Sequence, residues 1–345
     1  CSSAVLERLS SFFKITIIMA FEIKDGKAII PAWKTEIGVG DFENCEDLRS
    51  VVIPSSVTTI KHQAFFNCRN FTSIEIPASV TEIDSGAFDN CPRLSHITIS
   101  PNNRNYYSPD GCNVIIEKES ETLIIGCQNS IIPPTVKKIG SRAFLRCTGL
   151  ESINIPDSVE EIGEEAFYHC KGLEEITIPD SVTTMGEGVF CGCSGLTGVK
   201  LSNKITVIPN YLFLNCTSLK GIGIPDSVEK INDNAFAGCS SLQYVGIGNS
   251  VEEIGLYVFD GCTSLSSIVI PDSVNEIGAS FVSCPHLRLV CIKDAKVLND
   301  TGLNSDVKIV NPSASRAERE SWSKEERDLA IEYMLKYELG RPVKK

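Results

Sequence analysis

The chain has 345 residues, 42% of them hydrophobic and 22% charged, with a formal net charge of −12. Binding to nucleic acid is dominated by neutralising phosphates with lysine and arginine, so this balance argues against nucleic acid and against an anionic membrane surface as partners. Fifteen cysteines would signal a disulfide framework in a small secreted domain, but ten of them stand at one position of an internal repeat, so the count follows from the repeat.

Residues 1–18 lie outside the repeat. Cys1-Ser2-Ser3 resembles the start of a processed bacterial lipoprotein, which makes Cys1 a candidate lipidation site. An arbitrary boundary, or a start at Met19, reads equally well. Residues 12–21 are mostly apolar but too short to span a bilayer, which takes about 20 apolar residues. They are expected to pair as a strand or to pack on the first repeat. Residues 21–30 read as a capping hairpin turning at Asp25-Gly26.

The repeat array follows over residues 29–293. A phenylalanine and, three residues on, a cysteine recur ten times, from Phe42/Cys45 to Phe281/Cys284, at a step of 23 residues. The exceptions are 56 residues between Cys91 and Cys147 and 22 between Cys262 and Cys284. A fixed period of this length means a stacked solenoid, whose coils share one continuous core.

Each coil holds two segments. Leu-x-x-Ile-x-Ile, as in Leu173 to Ile178, alternates like a strand with Ile176 and Ile178 inward, and a proline such as Pro179 ends it. Ser-Val-x-x-Ile-Gly-x-x-Ala-Phe-x-x-Cys begins with a short extended piece. It then places Ala166, Phe167 and Cys170 at three-to-four spacing, which predicts a turn or two of helix or 3₁₀. The glycine of that segment (Gly38, Gly140, Gly163, Gly186, Gly255, Gly278) is expected in a left-handed turn, although Lys61 and Pro209 at the same place do not fit. Side chains stacked in register about 4.7–4.9 Å apart suit disulfides poorly. The ten frame cysteines are therefore read as buried thiols.

Between Cys91 and Cys147 lies a variant repeat at about residues 100–132, with a β-hairpin of residues 113–116 against 123–125 that projects from the stack or lies along it. Cys112 and Cys127 bracket it and could meet across its base. Residues 294–312 are expected to supply a capping strand at 307–310. The charge-dense residues 313–345 hold a helix that starts at a Ser323-to-Glu326 capping box. Its apolar stripe of Leu329, Ala330, Tyr333, Met334 and Tyr337 would close the open end of the stack or dock on a partner.

The motif Ile-Pro-x-Ser-Val-x-x-Ile-Gly-x-x-Ala-Phe-x-x-Cys-x-x-Leu-x-x-Ile-x-Ile resembles the BspA-like, or Treponema-type, leucine-rich repeat. The resemblance implies a right-handed, curved leucine-rich-repeat solenoid. It has a parallel β-sheet on the concave face, short strands and helical or 3₁₀ turns elsewhere, one inserted hairpin and, in this chain, an added C-terminal α-helix. It further implies a non-enzymatic, extracellular or surface-exposed protein that adheres to host matrix protein or to another cell, holding a protein or glycan ligand. A membrane link would run only through Cys1. An interaction scaffold in the cytoplasm or periplasm, and an enzyme subunit with a cryptic site, stay open as alternatives.

No spacing of histidine, carboxylate and nucleophile suggests a triad, and neither a cofactor-binding loop nor a metal set is apparent. Cys191-Gly-Cys193 lacks a second ligand pair. The outward strand positions vary instead. Glu151, Glu174 and Glu175 form an acidic region, although glutamates on a face are ordinarily only solvated. Gly198, Gly221, Gly223 and Gly246 leave bare backbone beside Tyr244, Lys200 and Lys220. Strand glycine is unfavourable and can mark close approach of a ligand, and tyrosine is enriched at interfaces. This floor and the acidic region are the candidate partner-binding residues.

Overall fold

A computed structural model describes residues 22–298 and 300–338. The chain divides into two compact units at residues 153 and 154. Each is a solenoid in which successive coils contribute one strand to each of two parallel ladders.

In the first unit, Ile23–Lys24 pairs antiparallel with Lys27–Ile29. Asp25 and Gly26 both take positive φ, as the hairpin turn requires. Lys27–Ile29, Ser50–Val52, Ser73–Ile76 and His96–Ile99 then run in parallel register. A second ladder joins Glu36–Ile37, Thr59–Ile60 and Glu82–Ile83. The phenylalanines between the ladders stack, with Phe42, Phe65 and Phe88 at centroid spacings of 5.1 Å and rings within 4° of parallel.

The variant repeat lies in the stack rather than projecting from it. Ile115–Glu117 pairs antiparallel with Tyr106–Tyr107 and with Thr122–Ile125, and Thr122–Ile125 continues parallel to Lys138–Ile139. Buried Asn103 organises the insertion. Its amide donates to the carbonyls of Pro77 and Val80, and its carbonyl oxygen accepts from the backbone of Asn105 and Tyr106. The Tyr106 hydroxyl accepts from the Ile83 amide at 3.0 Å, meeting a strand donor that the next coil would otherwise take. Cys112 and Cys127 are free thiols, so the pairing considered across the hairpin base is not made.

In the second unit the sheet strands are Glu175–Thr177 with Gly198–Lys200, Gly221–Gly223 with Tyr244–Gly246, and Ser267–Val269 with Leu289–Cys291 and the closing Lys308–Val310. Phe167, Phe190, Phe213, Phe236, Phe259 and Phe281 stack at 5.4–5.8 Å and are all fully buried.

Two expectations for the turn segment need correcting. The stretch from alanine to cysteine is a run of turns, not a helix. The residues two before and two after each frame phenylalanine except Phe281 adopt left-handed conformations, as Glu165 (φ 53°) and His169 (φ 56°) do around Phe167. This alternation breaks a helix and aims every second amide at the following coil. Glu165, Phe167 and His169 donate to the carbonyls of Glu187, Val189 and Cys191 at 2.7–2.9 Å.

The glycine after the inward isoleucine, in turn, does not have positive φ. It is small because the preceding coil passes beneath it. A Cβ on Gly186 would lie 2.4 Å from the Glu164 nitrogen, and one on Gly278 would lie 2.8 Å from the Gly255 carbonyl oxygen. At Gly38, in the first coil, the nearest atom would be 3.5 Å away.

The frame cysteines do more than fill space. Cys193, Cys216, Cys239, Cys262 and Cys284 each donate a thiol hydrogen to the carbonyl of the phenylalanine one coil back, at 3.1–3.3 Å.

Candidate functional site

The outward row of the second unit's sheet runs through Glu175, Gly198, Gly221, Tyr244, Ser267 and Leu289, and beside it through Thr177, Lys200, Gly223, Gly246, Val269 and Cys291. The second row does not meet solvent evenly along its length. Glu174, Glu175, Thr177, Lys200, Lys220 and Gly223 are exposed, whereas Gly246, Val269 and Cys291 are buried.

The cover is the C-terminal helix, Lys324–Tyr333, continued by a π-helical turn, Met334–Glu338. Its capping box forms as expected. The Ser323 hydroxyl accepts from the Glu326 amide, and the Glu326 carboxylate accepts from the Ser323 amide. The helix does not close the end of the stack, where Lys308–Val310 is the last strand. It lies on the sheet face, packing Leu329, Ala330 and Tyr333 with Trp322 against Val269, Cys291 and Val310. The face turns apolar in these last coils because it is an interior surface.

Polar contacts fasten the helix along its length. Glu326, itself buried, pairs with Lys308. The Tyr333 hydroxyl donates to the Asp272 carboxylate, which also holds Lys293 at 2.7 Å. Tyr337 and Lys336 donate to the Ile247 carbonyl at 2.8 and 2.5 Å. Lys336 and Tyr337 thereby end at the edge of the glycine floor; the sequence places Tyr337 in the apolar stripe of the helix but does not single out Lys336. The signal was present in the apolar outward residues Val269 and Cys291, which match the apolar stripe of the helix.

Desolvation sets the titration of this edge. Burial lowers the Lys336 pKa and raises those of Tyr337 and Tyr244, so each of the three favours its neutral form more than it would in water.

The four floor glycines differ in kind. A Cβ on Gly246 would lie 2.8 Å from the Tyr244 hydroxyl and 3.4 Å from Lys336 Nζ, so the space above this glycine is already taken by the ends of the chain's own side chains. It is not open floor, contrary to expectation. At Gly198 and Gly221 the nearest atoms would be 3.5 Å away, and at Gly223 nothing lies within 4 Å. None of these three has positive φ. Glycine costs a strand roughly 0.5–1 kcal/mol relative to alanine, and nothing within the fold requires it at these three places.

Of the acidic residues, Glu151 belongs to the first unit and Glu174 and Glu175 to the second. Cys1 lies outside the described residues. Burial pushes the Cys191 thiol up to about 11 and the Cys193 thiol up to about 12, so both are protonated at neutral pH and neither is an activated nucleophile. Among the described residues no group of three or more histidine, cysteine or carboxylate side chains could hold a metal ion, and no helix is long and apolar enough to cross a membrane.

A model of the BspA type leucine rich repeat region matches the chain in six copies, over residues 24–110, 125–243 and 206–302. No curated protein sequence matches significantly. Among solved structures, a leucine-rich repeat protein from Eubacterium ventriosum is 25% identical with a TM-score of 0.58, covering 73% of this chain and 80% of its own. A leucine rich cell surface protein from Faecalibacterium prausnitzii is 35% identical (TM-score 0.52; 69% of this chain and 57% of its own). A leucine-rich repeat protein from Bacteroides ovatus is 30% identical (TM-score 0.53; 74% of this chain and 64% of its own). The chain thus spans less than two thirds of the length of the latter two.

Proposed function

Since the chain belongs to the BspA-type leucine-rich repeat family, we propose that it is a non-enzymatic binding protein acting at the cell surface, and that it holds a protein or glycan of another cell or of its matrix. The observation that carries this reading is the open floor of Gly198, Gly221 and Gly223 beside Tyr244. These are three adjacent outward positions stripped of side chains without any demand from the fold. A surface of bare strand admits close approach of a ligand, and the tyrosine at its edge supplies a large contact at low entropic cost. The surface location is supported by the Faecalibacterium prausnitzii relative, described as a cell surface protein. Glu174, Glu175, Lys200 and Lys220 form the polar rim of the floor, and Tyr337 and Lys336 bound it on the helix side.

The test is capture from a solubilised extracellular-matrix extract and from intact cells by immobilised chain. The double variant Gly221→Arg with Tyr244→Ala is expected to lose what the parent chain retains. Equal capture by both would remove the floor from the account.

A further inference from the structure

On the turn edge of the second unit, away from the sheet face, a crevice is lined by Tyr168, Tyr211, Glu164, Glu165 and Glu187, with Cys191 buried beneath them. Three carboxylates and two tyrosines face one recess. The Glu187 carboxylate is oriented by the Asn210 side-chain amide, which donates to it at 2.9 Å.

Tyr211 is 42% exposed and sits at φ 59°, a conformation that bulky side chains rarely take. The equivalent position one coil before is Gly188, and one coil after it is Asn234. Both residue types accept this conformation more readily, so the backbone itself does not call for a tyrosine here.

We propose that this crevice is a docking site for a basic segment of a protein partner, seating a lysine or arginine side chain between the tyrosines. The occupant follows from the chemistry of the lining. An aromatic face attracts a cation through its quadrupole, more strongly where water is partly excluded. The carboxylates supply the opposite charge, and the chain's net charge of −12 draws a basic segment toward it. The site is independent of the sheet-face floor, which lies on the strands, and it would contribute a second point of attachment to the same or another partner.

The experiment is calorimetric titration of the full chain with a hexalysine peptide at low and at physiological salt. Tyr211→Asn keeps a residue that tolerates the left-handed backbone, so the fold and melting temperature are expected to be retained or improved. Binding should weaken at least about fivefold in this variant and in Glu164→Gln with Glu187→Gln. Glu174→Gln with Glu175→Gln removes the same charge from the sheet face and should leave affinity unchanged. So should Gly221→Arg with Tyr244→Ala, which separates this proposal from the reading of the floor. Unaltered binding by Tyr211→Asn, or an equal loss in the Glu174 and Glu175 variant, would mean diffuse charge attraction only and would overturn the proposal.

Discussion

The thiol of Cys216 donates to the carbonyl oxygen of Phe190, 26 residues earlier, at 3.1 Å. The same carbonyl accepts the Cys193 amide, also at 3.1 Å. Each such oxygen therefore closes a turn in its own coil and ties that coil to the next. Cys216→Ala is expected to cost about 1–3 kcal/mol in denaturant unfolding, and Cys216→Ser, which keeps a donor, should recover part of it. Equal losses in the two variants would deny the hydrogen bond a role. Thiol labelling of the native chain at neutral pH should reach half-buried Cys45 before Cys216, which burial holds in its protonated form.

The recurrent glycine separates close approach from backbone conformation. Gly186→Ala forces a Cβ against the Glu164 backbone and is expected to destabilise by about 1–3 kcal/mol or more. Gly38→Ala meets nothing closer than 3.5 Å and should be neutral or stabilise by about 0.4–1 kcal/mol through the unfolded state. Thermal melts of the two variants check the contrast. Equal effects would remove the close-approach explanation.

The C-terminal helix should be a required part of the second unit. Tyr333 is fully buried over Val269 and Cys291. Tyr333→Ala is expected to cost about 3–5 kcal/mol, by analogy with large aromatic truncations. It should also open Cys291, whose thiol burial pushes up to about 12, to labelling. Retained protection of Cys291 would place the helix elsewhere.

The Glu326–Lys308 pair gives that helix a pH dependence. Lys308 holds the Glu326 carboxyl below its ordinary value of 4.5 despite the opposing effect of burial. Because the folded pKa is depressed, the stabilisation is complete above the ordinary value and is lost as the pH falls through the folded one. Trp322 is buried in the helix cluster while Trp33 is 74% exposed, so a fluorescence red shift in acid reports Trp322. Glu326→Gln should flatten that transition. A variant with the parent's acid profile would assign it to other carboxylates.

The strand and its core were legible because Ile176, Ile178, Phe167 and Leu173 recur at a fixed period, and a core residue cannot move without its counterparts in the adjoining coils. The turn was misread because Ala166, Phe167 and Cys170 have helical spacing by coincidence. The left-handed residues that break the helix are Glu165 and His169 here, neither of which advertises such a conformation. In other coils the sign is plain, as Asn44, Asn67, Asn90, Gly192 and Gly238 occupy the place before the cysteine. The helix position was missed for a different reason. Apolar residues at an outward strand position look like unselected surface until the element that covers them is known.

At the candidate site, a list of glycines could not distinguish Gly246, which the chain fills with Tyr244 and Lys336, from Gly223, which it leaves open. That distinction is set by a contact between residues some 89 positions apart, as Lys336 and Ile247 are.

Gly223→Arg tests the central claim most directly. Its Cβ enters open space on an exposed strand, so the variant should melt like the parent. Surface-plasmon measurement of the captured matrix or cell-surface ligand is expected to show binding lost in this variant and retained in a control placed on the turn edge, Tyr257→Asn. Binding of Gly223→Arg at the parent's affinity would contradict the claim that the open glycine floor is the recognition surface.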